Sequence, residues 1–311
     1  MEISVESFIN FLDKRNILYE VYGSPKEGYT LASIFEPIPE GFYFYVGSEL
    51  PSDIKRSLII TGRDVSGDSG ENCLIKIDGN PQIIFYEFLD NKFKKKSTGR
   101  ISKKAVISDK ARIGENVQID DFVIVENCDI DDNVIIKSHC KIYENTKIGS
   151  NTIIESGSVI GTEGVAWVWN NDGTKKIRQP QLGGTVIGKD CFLGANTIIV
   201  RGSLNENSII GEDTMMAPGC RIGHGTIVGK SVHFANNVTT GGNTRIGNYC
   251  FVGSGAIIRP KIQINESTIV GAGAVVVKNS TKSGMTLVGV PAIEKESSKN
   301  PSAMPALKKT N

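Results

Sequence analysis

The chain has 311 residues, a formal net charge of +1 and 22% charged residues, a balance that argues against a general binder of nucleic acid or of anionic membranes. No apolar run approaches the ~20 residues of a membrane span, and the N-terminus lacks the basic and apolar regions of a secretory signal. We therefore expect a cytoplasmic protein with no transmembrane segment. Aromatic residues make up only 7% of the chain, which suits a narrow core filled by Ile, Val and Thr.

The first hundred residues, 1–100, show no repeat and predict a small α/β domain. Val5, Phe8, Ile9 and Leu12 share one face of an amphipathic helix, and Pro81 opens a second helix. Runs of strand-forming residues separated by Gly, Pro and Asp turns predict strands at 18–22, 42–46, 57–61 and 73–77.

A repeat of six residues then occupies residues 101–285. It is clearest from Ile210 to Val276, where an aliphatic residue, or in places Met, Phe or Thr, recurs every sixth position over eleven steps. This pattern is typical of a parallel β-helix, in which three units of six complete one triangular coil. Residues 18 apart are then neighbours on adjacent coils, ~4.8 Å apart. Residues 286–311, rich in Lys, Ser and Pro, are predicted to form a flexible tail.

Cysteines follow the same register. Five of the six fall four residues after an aliphatic repeat position, where small inward residues are expected, and we predict that they are structural: Cys128, Cys140, Cys191, Cys220 and Cys250. No His, Cys and Asp cluster has the spacing of a metal site, and no phosphate-binding loop or dinucleotide fingerprint is present. We therefore predict no bound metal and no bound cofactor.

The repeat is interrupted once at length, at residues 161–186, a segment that contains both tryptophans. So long an excursion from a regular coil is more often functional than accidental. Trp167 and Trp169 are candidates for stacking on a sugar or a nucleotide base, although pinning the loop to a neighbouring subunit fits them equally.

Of the three histidines, His224 has the most suggestive position. It lies at an outward corner of its hexad, and Gly242 lies one coil further on. A neutral imidazole beside accessible backbone amides provides a general base and an oxyanion site, the minimum equipment for acyl transfer. The spacing alone fits an ordinary surface histidine as well.

A Pro-Gln-Leu-Gly segment at 180–183 ends the excursion, and further motifs follow at 194–198, 201–204, 209–211 and 220–224, the last of them the hexad around His224. In this order, behind a small α/β domain, these stretches resemble the UDP-3-O-acylglucosamine N-acyltransferases of the lipid A pathway. The resemblance covers residues 1–285, and its most specific parts are the Pro-Gln-Leu-Gly segment and the His224 hexad.

This resemblance implies a left-handed β-helix, a homotrimer with active sites between subunits, and an N-terminal domain that helps to bind the nucleotide. It implies that His224 is the general base and that the backbone N–H of Gly242 binds the oxyanion. Four further candidates for substrate binding are Gln181 of the Pro-Gln-Leu-Gly segment, Phe42 or Tyr43 against a uracil ring, and Asn236 across a subunit boundary.

Several positions depart from the family pattern. Val165-Ala166-Trp167 replaces a Gly-Phe-Gly-aromatic segment, Ala217-Pro218 replaces an Asp-Asn pair, and Lys261 aligns with a second histidine. The tail lacks the family's helix that engages acyl carrier protein, and Gly289-Val290-Pro291-Ala292 looks like the ending of CoA-dependent hexapeptide acetyltransferases. The donor is therefore predicted to be either an acyl-CoA or an acyl carrier protein.

The sequence thus predicts an N-acyltransferase that acylates the amino group of a nucleotide-linked amino sugar destined for surface polysaccharide or lipopolysaccharide. Three alternatives remain open: that the acceptor is the lipid A precursor itself, that the reaction is O-acetylation of a sugar hydroxyl, and that the protein is a non-catalytic trimeric solenoid that binds carbohydrate.

Overall fold

Two structural units make up the chain, Met1–Lys95 and Lys96–Asn311. The computed structural model describes residues 1–50, 52–65 and 70–297. Within these residues no helix is long and apolar enough to cross a membrane.

The first unit is a mixed sheet with two helices. Four central strands run parallel, and the two edge strands are antiparallel to their neighbours, in the order β1-β3-β4-β5-β6-β2. The elements in chain order are β1 (Glu2–Ser4), α1 (Val5–Lys14), β2 (Tyr19–Tyr22), β3 (Gly28–Leu31), β4 (Gly41–Tyr45), β5 (Leu58–Gly62), β6 (Cys73–Ile77) and α2 (Pro81–Phe93). The predicted α/β unit is confirmed, with its four predicted strands in place; β1 and β3 were not predicted.

Both helices begin at capped positions. The Ser4 hydroxyl accepts a hydrogen bond from Ser7 N at 3.2 Å, and the side chain of Asn80 accepts one from Gln82 N at 2.9 Å, in front of Pro81 at the start of α2. These side chains satisfy amides that have no partner within the helix.

Phe42 and Tyr43 lie in the core of this unit. Neighbouring residues of a strand face opposite sides of a sheet, and here both sides are covered. Phe42 packs against the phenylalanines of the two helices, whereas Tyr43 packs with Ile54 on the other side and hydrogen-bonds Ile38 through its hydroxyl. Phe42 is 0% and Tyr43 1% exposed, so neither ring presents a face to a uracil, contrary to the sequence-based expectation.

The second unit is a parallel β-helix whose coils have three sides. The strands of the first side are Val106–Ile107, Ile124–Val125, Lys141–Ile142, Val159–Thr162, Ile198–Val200, Arg221–Ile222, Thr239–Thr240, Ile257–Ile258 and Val275–Val276. Those of the second side are Arg112–Ile113, Asp129–Ile130, Thr146–Ile148, Gly184–Ile187, Asn207–Ile210, Ile227–Val228, Arg245–Ile246 and Gln263–Ile264. Those of the third side are Gln118–Ile119, Ile135–Ile136, Ile153–Ile154, Phe192–Leu193, Met215–Met216, His233–Phe234, Phe251–Val252, Ile269–Val270, Met285–Val288 and Ile293–Glu296.

The predicted inward positions form the core. The repeat residues from Ile119 onward are buried with few exceptions, and the five predicted cysteines are buried beside them as free thiols. Thr214, Thr226 and Thr244 fill the same small positions, and each hydroxyl donates to a backbone carbonyl of the corner loops. A β-helix can bury these hydroxyls because carbonyl groups that need donors line the inside of each corner.

Two insertions interrupt the 18-residue coil at one corner. Val159 pairs with Ile198, 39 residues further on, and Ile198 pairs with Arg221, 23 residues further on. The differences from 18 correspond to insertions of 21 and 5 residues, both in the passage from the first side to the second. We call this passage the His224 corner; it contains residues 143–145, 163–183, 201–206, 223–226, 241–244 and 259–262.

The described part of the tail is ordered strand, which corrects the predicted boundary at 285. Met285–Val288 continues the third side in parallel with Ile269–Val270, and Ile293–Glu296 turns back antiparallel to it. The reason is that Met285 and Leu287 are buried, alternate with partly exposed neighbours and close the end of the core. Residues 298–311, which the flexible-tail prediction also covers, lie outside the described residues.

Candidate active site

The ring of His224 rests against the backbone of Gly242. A methyl group built at Gly242 would overlap Nε2, Cδ2 and Cε1 of the imidazole, so only glycine leaves room for the ring. The two corner loops are also joined by a hydrogen bond from Asn243 N to the His224 carbonyl, at 2.7 Å. Residues 18 apart are thus in contact, as the repeat predicts.

The backbone N–H of Gly242 has no hydrogen-bond acceptor among the described residues, whereas its carbonyl accepts from Lys261 N at 3.0 Å. Gly242 is buried, and a buried amide without an acceptor is energetically costly until a bound group supplies one. It stands beside the imidazole as an available donor.

A serine hydroxyl binds the other nitrogen of the ring. Ser203 Oγ lies 3.0 Å from His224 Nδ1, and Ser203 itself is buried. Ser203 belongs to the insertion of five residues, which lies over His224 because both occupy the same corner of successive coils. In the sequence, residues 201–204 stand out only as one of the stretches similar to the family, and nothing in them assigns a role to Ser203.

Glu206 holds that insertion in shape. Its carboxylate accepts hydrogen bonds from Ser203 N at 2.8 Å and from Leu204 N at 3.0 Å. Its own backbone amide and those of Leu204 and Ser203 lower the pKa of the Glu206 carboxyl below its ordinary value, because they stabilise the ionised form. Glu206 is therefore an anion that closes the turn.

Arg201 anchors the same insertion to the two preceding coils. It is 4% exposed; its Nε donates to the Gly161 carbonyl at 2.7 Å, and Nη2 donates to the Glu144 carbonyl at 3.1 Å. Its Nη1 lies 3.4 Å from the Glu144 carboxylate. A planar guanidinium can satisfy several acceptors at once, and here it joins three successive coils.

The long insertion carries the predicted tryptophans on an exposed hairpin of Ala166–Trp169 and Lys176–Gln179. Trp167 and Trp169 meet edge to face, with ring centroids 5.3 Å apart, and Lys176 Nζ lies 4.3 Å from the Trp167 centroid. Both rings are about half exposed. The hairpin leaves the His224 corner one coil before the Ser203 insertion.

Gln181 lies at the base of this hairpin and is 1% exposed. Its Oε1 accepts a hydrogen bond from Gly164 N, which closes the two ends of the insertion against each other. Next to it, Leu182 N donates to the Ser203 carbonyl at 2.8 Å, so the long insertion is tied directly to the short one. Gln181 is buried where it stands, and substrate binding by its side chain stays a prediction.

Asn236 lies at a different corner, between the third side and the first. It is exposed, and its carbonyl accepts from Gly255 N at 2.8 Å. Within one chain it is not part of the His224 corner. The replaced pair Ala217-Pro218 occupies the same corner as Asn236, whereas Lys261 lies at the His224 corner.

The cysteines offer no nucleophile in the β-helix. Burial raises the pKa of the Cys128 thiol to about 12, and burial raises the pKa of Cys140, Cys191 and Cys250 to about 11. These groups stay protonated at neutral pH, and a thiol reacts only as its thiolate. Among the described residues, no three His, Cys, Asp or Glu side chains gather as a metal site would require.

Comparisons with known proteins agree with this architecture. The bacterial transferase hexapeptide family (six repeats) matches residues 110–143, 127–162 and 243–278. The structure is similar to a UDP-N-acetylglucosamine O-acyltransferase from Moraxella catarrhalis, with a TM-score of 0.56 and 25% identity over 62% of this chain and 73% of that one. A UDP-N-acetylglucosamine acyltransferase from Bacteroides fragilis has a TM-score of 0.57 at 22% identity, over 63% and 74% of the two chains. The fold is therefore the left-handed parallel β-helix that the sequence predicts.

In sequence, the chain is similar to UDP-3-O-acylglucosamine N-acyltransferases. The chain is 37% identical to the enzyme of Delftia acidovorans over 91 residues, and this match covers 29% of the chain and 26% of the relative. It is 50% identical over 60 residues to that of Xanthomonas euvesicatoria, 17% and 18% of the two chains. The matched region spans about a quarter or less of these relatives. The predicted resemblance to hexapeptide-repeat acyltransferases is confirmed.

Proposed function

We propose that the protein is an N-acyltransferase that moves an acyl group from a thioester carrier to the amino group of a nucleotide-linked amino sugar. The observation that carries this proposal is the contact of the His224 imidazole with the backbone of Gly242, beside an unpaired N–H. A base and an oxyanion donor next to each other are what direct acyl transfer requires.

The reaction needs no covalent intermediate on the enzyme. The sugar amine attacks the thioester carbonyl while His224 takes the proton of the amine, and the Gly242 N–H donates to the oxygen that becomes negative. The carbon–sulfur bond then breaks, and the departing thiolate receives the proton from the imidazolium. The products are an amide and a free thiol.

Positive charge beyond Gly242 supports an acyl donor that carries phosphate. Arg259 and Lys261 are exposed at the next level of the His224 corner, around Pro260. Acyl-CoA and acyl carrier protein both present the phosphate of a pantetheine arm, so these two cations suit either donor. We propose no bound cofactor beyond this co-substrate.

Two acceptors merit a direct comparison. The sequence matches favour UDP-3-O-acylglucosamine, the substrate in the names of the relatives. The altered segment at Val165-Ala166-Trp167 favours another nucleotide-linked amino sugar of surface polysaccharide, because this segment begins the exposed hairpin at the candidate site. We further propose a cytoplasmic homotrimer, in which Asn236 of one copy approaches the His224 corner of the next.

Intact-mass analysis tests the proposal. UDP-, dTDP- and GDP-linked amino sugars, including UDP-3-O-acylglucosamine, are incubated with the protein and either acetyl-CoA or a 3-hydroxyacyl carrier protein. We expect one sugar to gain the mass of one acyl group, and His224→Gln to abolish the gain. A sugar that binds without any gain in mass, whichever donor is supplied, would reject the enzyme in favour of a binding protein.

A further inference from the structure

His224 can act as a base through Nε2 only in one of its two neutral tautomers. Nε2 is the ring nitrogen against Gly242, so it must carry the lone pair, and the proton must sit on Nδ1. Which nitrogen holds the proton is decided by the partner of the other nitrogen. That partner is the Ser203 hydroxyl, 3.0 Å from Nδ1.

A hydroxyl can either donate to Nδ1 or accept from it, so Ser203 alone does not select a tautomer. The nearby carboxylate breaks this symmetry. The Glu206 carboxylate accepts hydrogen bonds from the backbone amides of Ser203 and Leu204, which places it next to the Ser203 side chain. An ionised carboxylate only accepts hydrogen bonds, so it draws the hydroxyl proton towards itself.

Once its proton points at Glu206, Ser203 Oγ offers a lone pair to the imidazole. Nδ1–H is then the donor of the 3.0 Å contact. We propose that Glu206 and Ser203 are positioning residues that hold His224 in the Nδ1–H tautomer, with Nε2 free to accept a proton beside Gly242. The tautomer itself is independent of the reaction; only its catalytic consequence rests on the proposed function.

The opposite arrangement has a different chemical outcome. If Ser203 donated to Nδ1, Nε2 would carry the proton and could not deprotonate an amine. The two arrangements share the same heavy-atom positions, so a direct observation of the ring protons decides between them.

Nuclear magnetic resonance of ¹⁵N-histidine-labelled protein provides that observation. The chain has three histidines, so the His224 signals are assigned by their loss in His224→Gln. At a pH where the ring is neutral, we expect a protonated Nδ1 and an unprotonated Nε2 in the wild type. We expect Ser203→Ala to shift the population towards Nε2–H and Ser203→Thr to preserve the wild-type tautomer.

Ser231→Ala is the matched control, because Ser231 donates to Asp213 at another corner of the β-helix, at 2.8 Å. A wild-type His224 with its proton on Nε2, or a tautomer unchanged in Ser203→Ala, would overturn the proposal. Either result is obtained without any substrate, so it is distinct from a failure to find acyl transfer.

Kinetics provide a second readout once a substrate pair is known. We expect Ser203→Ala to lower kcat by about 10- to 100-fold, below the ~10²–10⁴ that a general base contributes, with the KM for the sugar unchanged. The kcat of Glu206→Gln should lie between those of the wild type and Ser203→Ala. The glutamine amide oxygen can still accept a hydrogen bond from one backbone amide, but it attracts the Ser203 hydroxyl proton less than a carboxylate does. A rise in KM at constant kcat would assign Ser203 to substrate binding and reject its role in positioning the base.

Discussion

The imidazole of His224 and the Cα of Gly242 are in direct contact, one coil of the β-helix apart, and no side chain fits between them. This contact has one structural and one chemical consequence. It makes glycine obligatory at position 242, and it places Nε2 next to a backbone N–H that has no acceptor in the described part of the chain. The pair is the centre from which the other features of the corner can be tested.

Loss of the imidazole is expected to remove catalysis and leave the fold intact. We predict that His224→Gln lowers kcat by about 10²–10⁴-fold, the usual contribution of a general base. Since the ring is half-buried at an outward corner, the midpoint of thermal unfolding should change little. His233→Gln is the control, because His233 stacks on Phe251 on the third side, away from this corner. Equal activity of His224→Gln and wild type would exclude His224 as the base.

A methyl group at position 242 should displace the ring. In Gly242→Ala the new Cβ overlaps the imidazole, so we expect the His224 ¹⁵N and ¹³C ring signals to shift and kcat to fall by at least about 10-fold, as expected when a base loses its geometry. Gly62→Ala serves as a control, since no atom lies within 4 Å of the corresponding Cβ position in the first unit. Retention of both the ring signals and the activity would contradict the contact.

The Glu206 carboxyl should stay ionised at a lower pH than an ordinary glutamate does. Backbone amides lower the folded-state pKa of this carboxyl below the ordinary value of 4.5. Its stabilisation of the turn is therefore complete above the unfolded-state pKa and is lost as the pH falls through the folded-state value. We predict a carboxyl titration midpoint below 4.5 in a ¹³C experiment, assigned by loss of the signal in Glu206→Gln. A midpoint above the ordinary value would show that the carboxylate does not accept these amides.

Removal of Arg201 should destabilise the His224 corner. Arg201→Met leaves the carbonyls of Gly161 and Glu144 without their donor, and a buried acceptor without a partner costs roughly 1–3 kcal/mol. Chemical denaturation measures this loss in the free energy of unfolding. Arg178→Met is the control, because the Arg178 side chain is 58% exposed in its pair with Glu163 and should change stability by less than about 0.5 kcal/mol. Equal effects of the two substitutions would show that Arg201 does not join the coils.

Substitution of an inward and of an outward aromatic residue on neighbouring coils should lower the free energy of unfolding by very different amounts. Phe234 is 0% exposed in the core of the β-helix, and Phe234→Ala is expected to cost about 3–5 kcal/mol of unfolding free energy through transfer and cavity terms. Phe251 lies on the outer surface, and Phe251→Ala should cost less than about 1 kcal/mol. Denaturation of the two variants under identical conditions tests the register, since a shift of one residue would reverse the order.

The six-residue period by itself determined the β-helix, its inward columns and the contact of residues 18 apart. It did so because a regular solenoid converts sequence spacing directly into spatial spacing. The buried cysteines and the contact of His224 with Gly242 follow from that one rule. The helices and strands of the first unit, which has no repeat, follow instead from local hydrophobic and turn patterns.

What only the tertiary structure decided lies where the period fails. Insertions carry no register, so their backbone path depends on contacts between coils, and those contacts bring Ser203 onto Nδ1 and bury Gln181 at the base of the hairpin. For the same reason, the alternation along β4 predicted that Phe42 and Tyr43 point to opposite sides of the sheet, but it could not predict what packs over each side. Both residues are buried. Local pattern specifies which way a side chain points, whereas the layer that packs over it is supplied by segments distant in sequence.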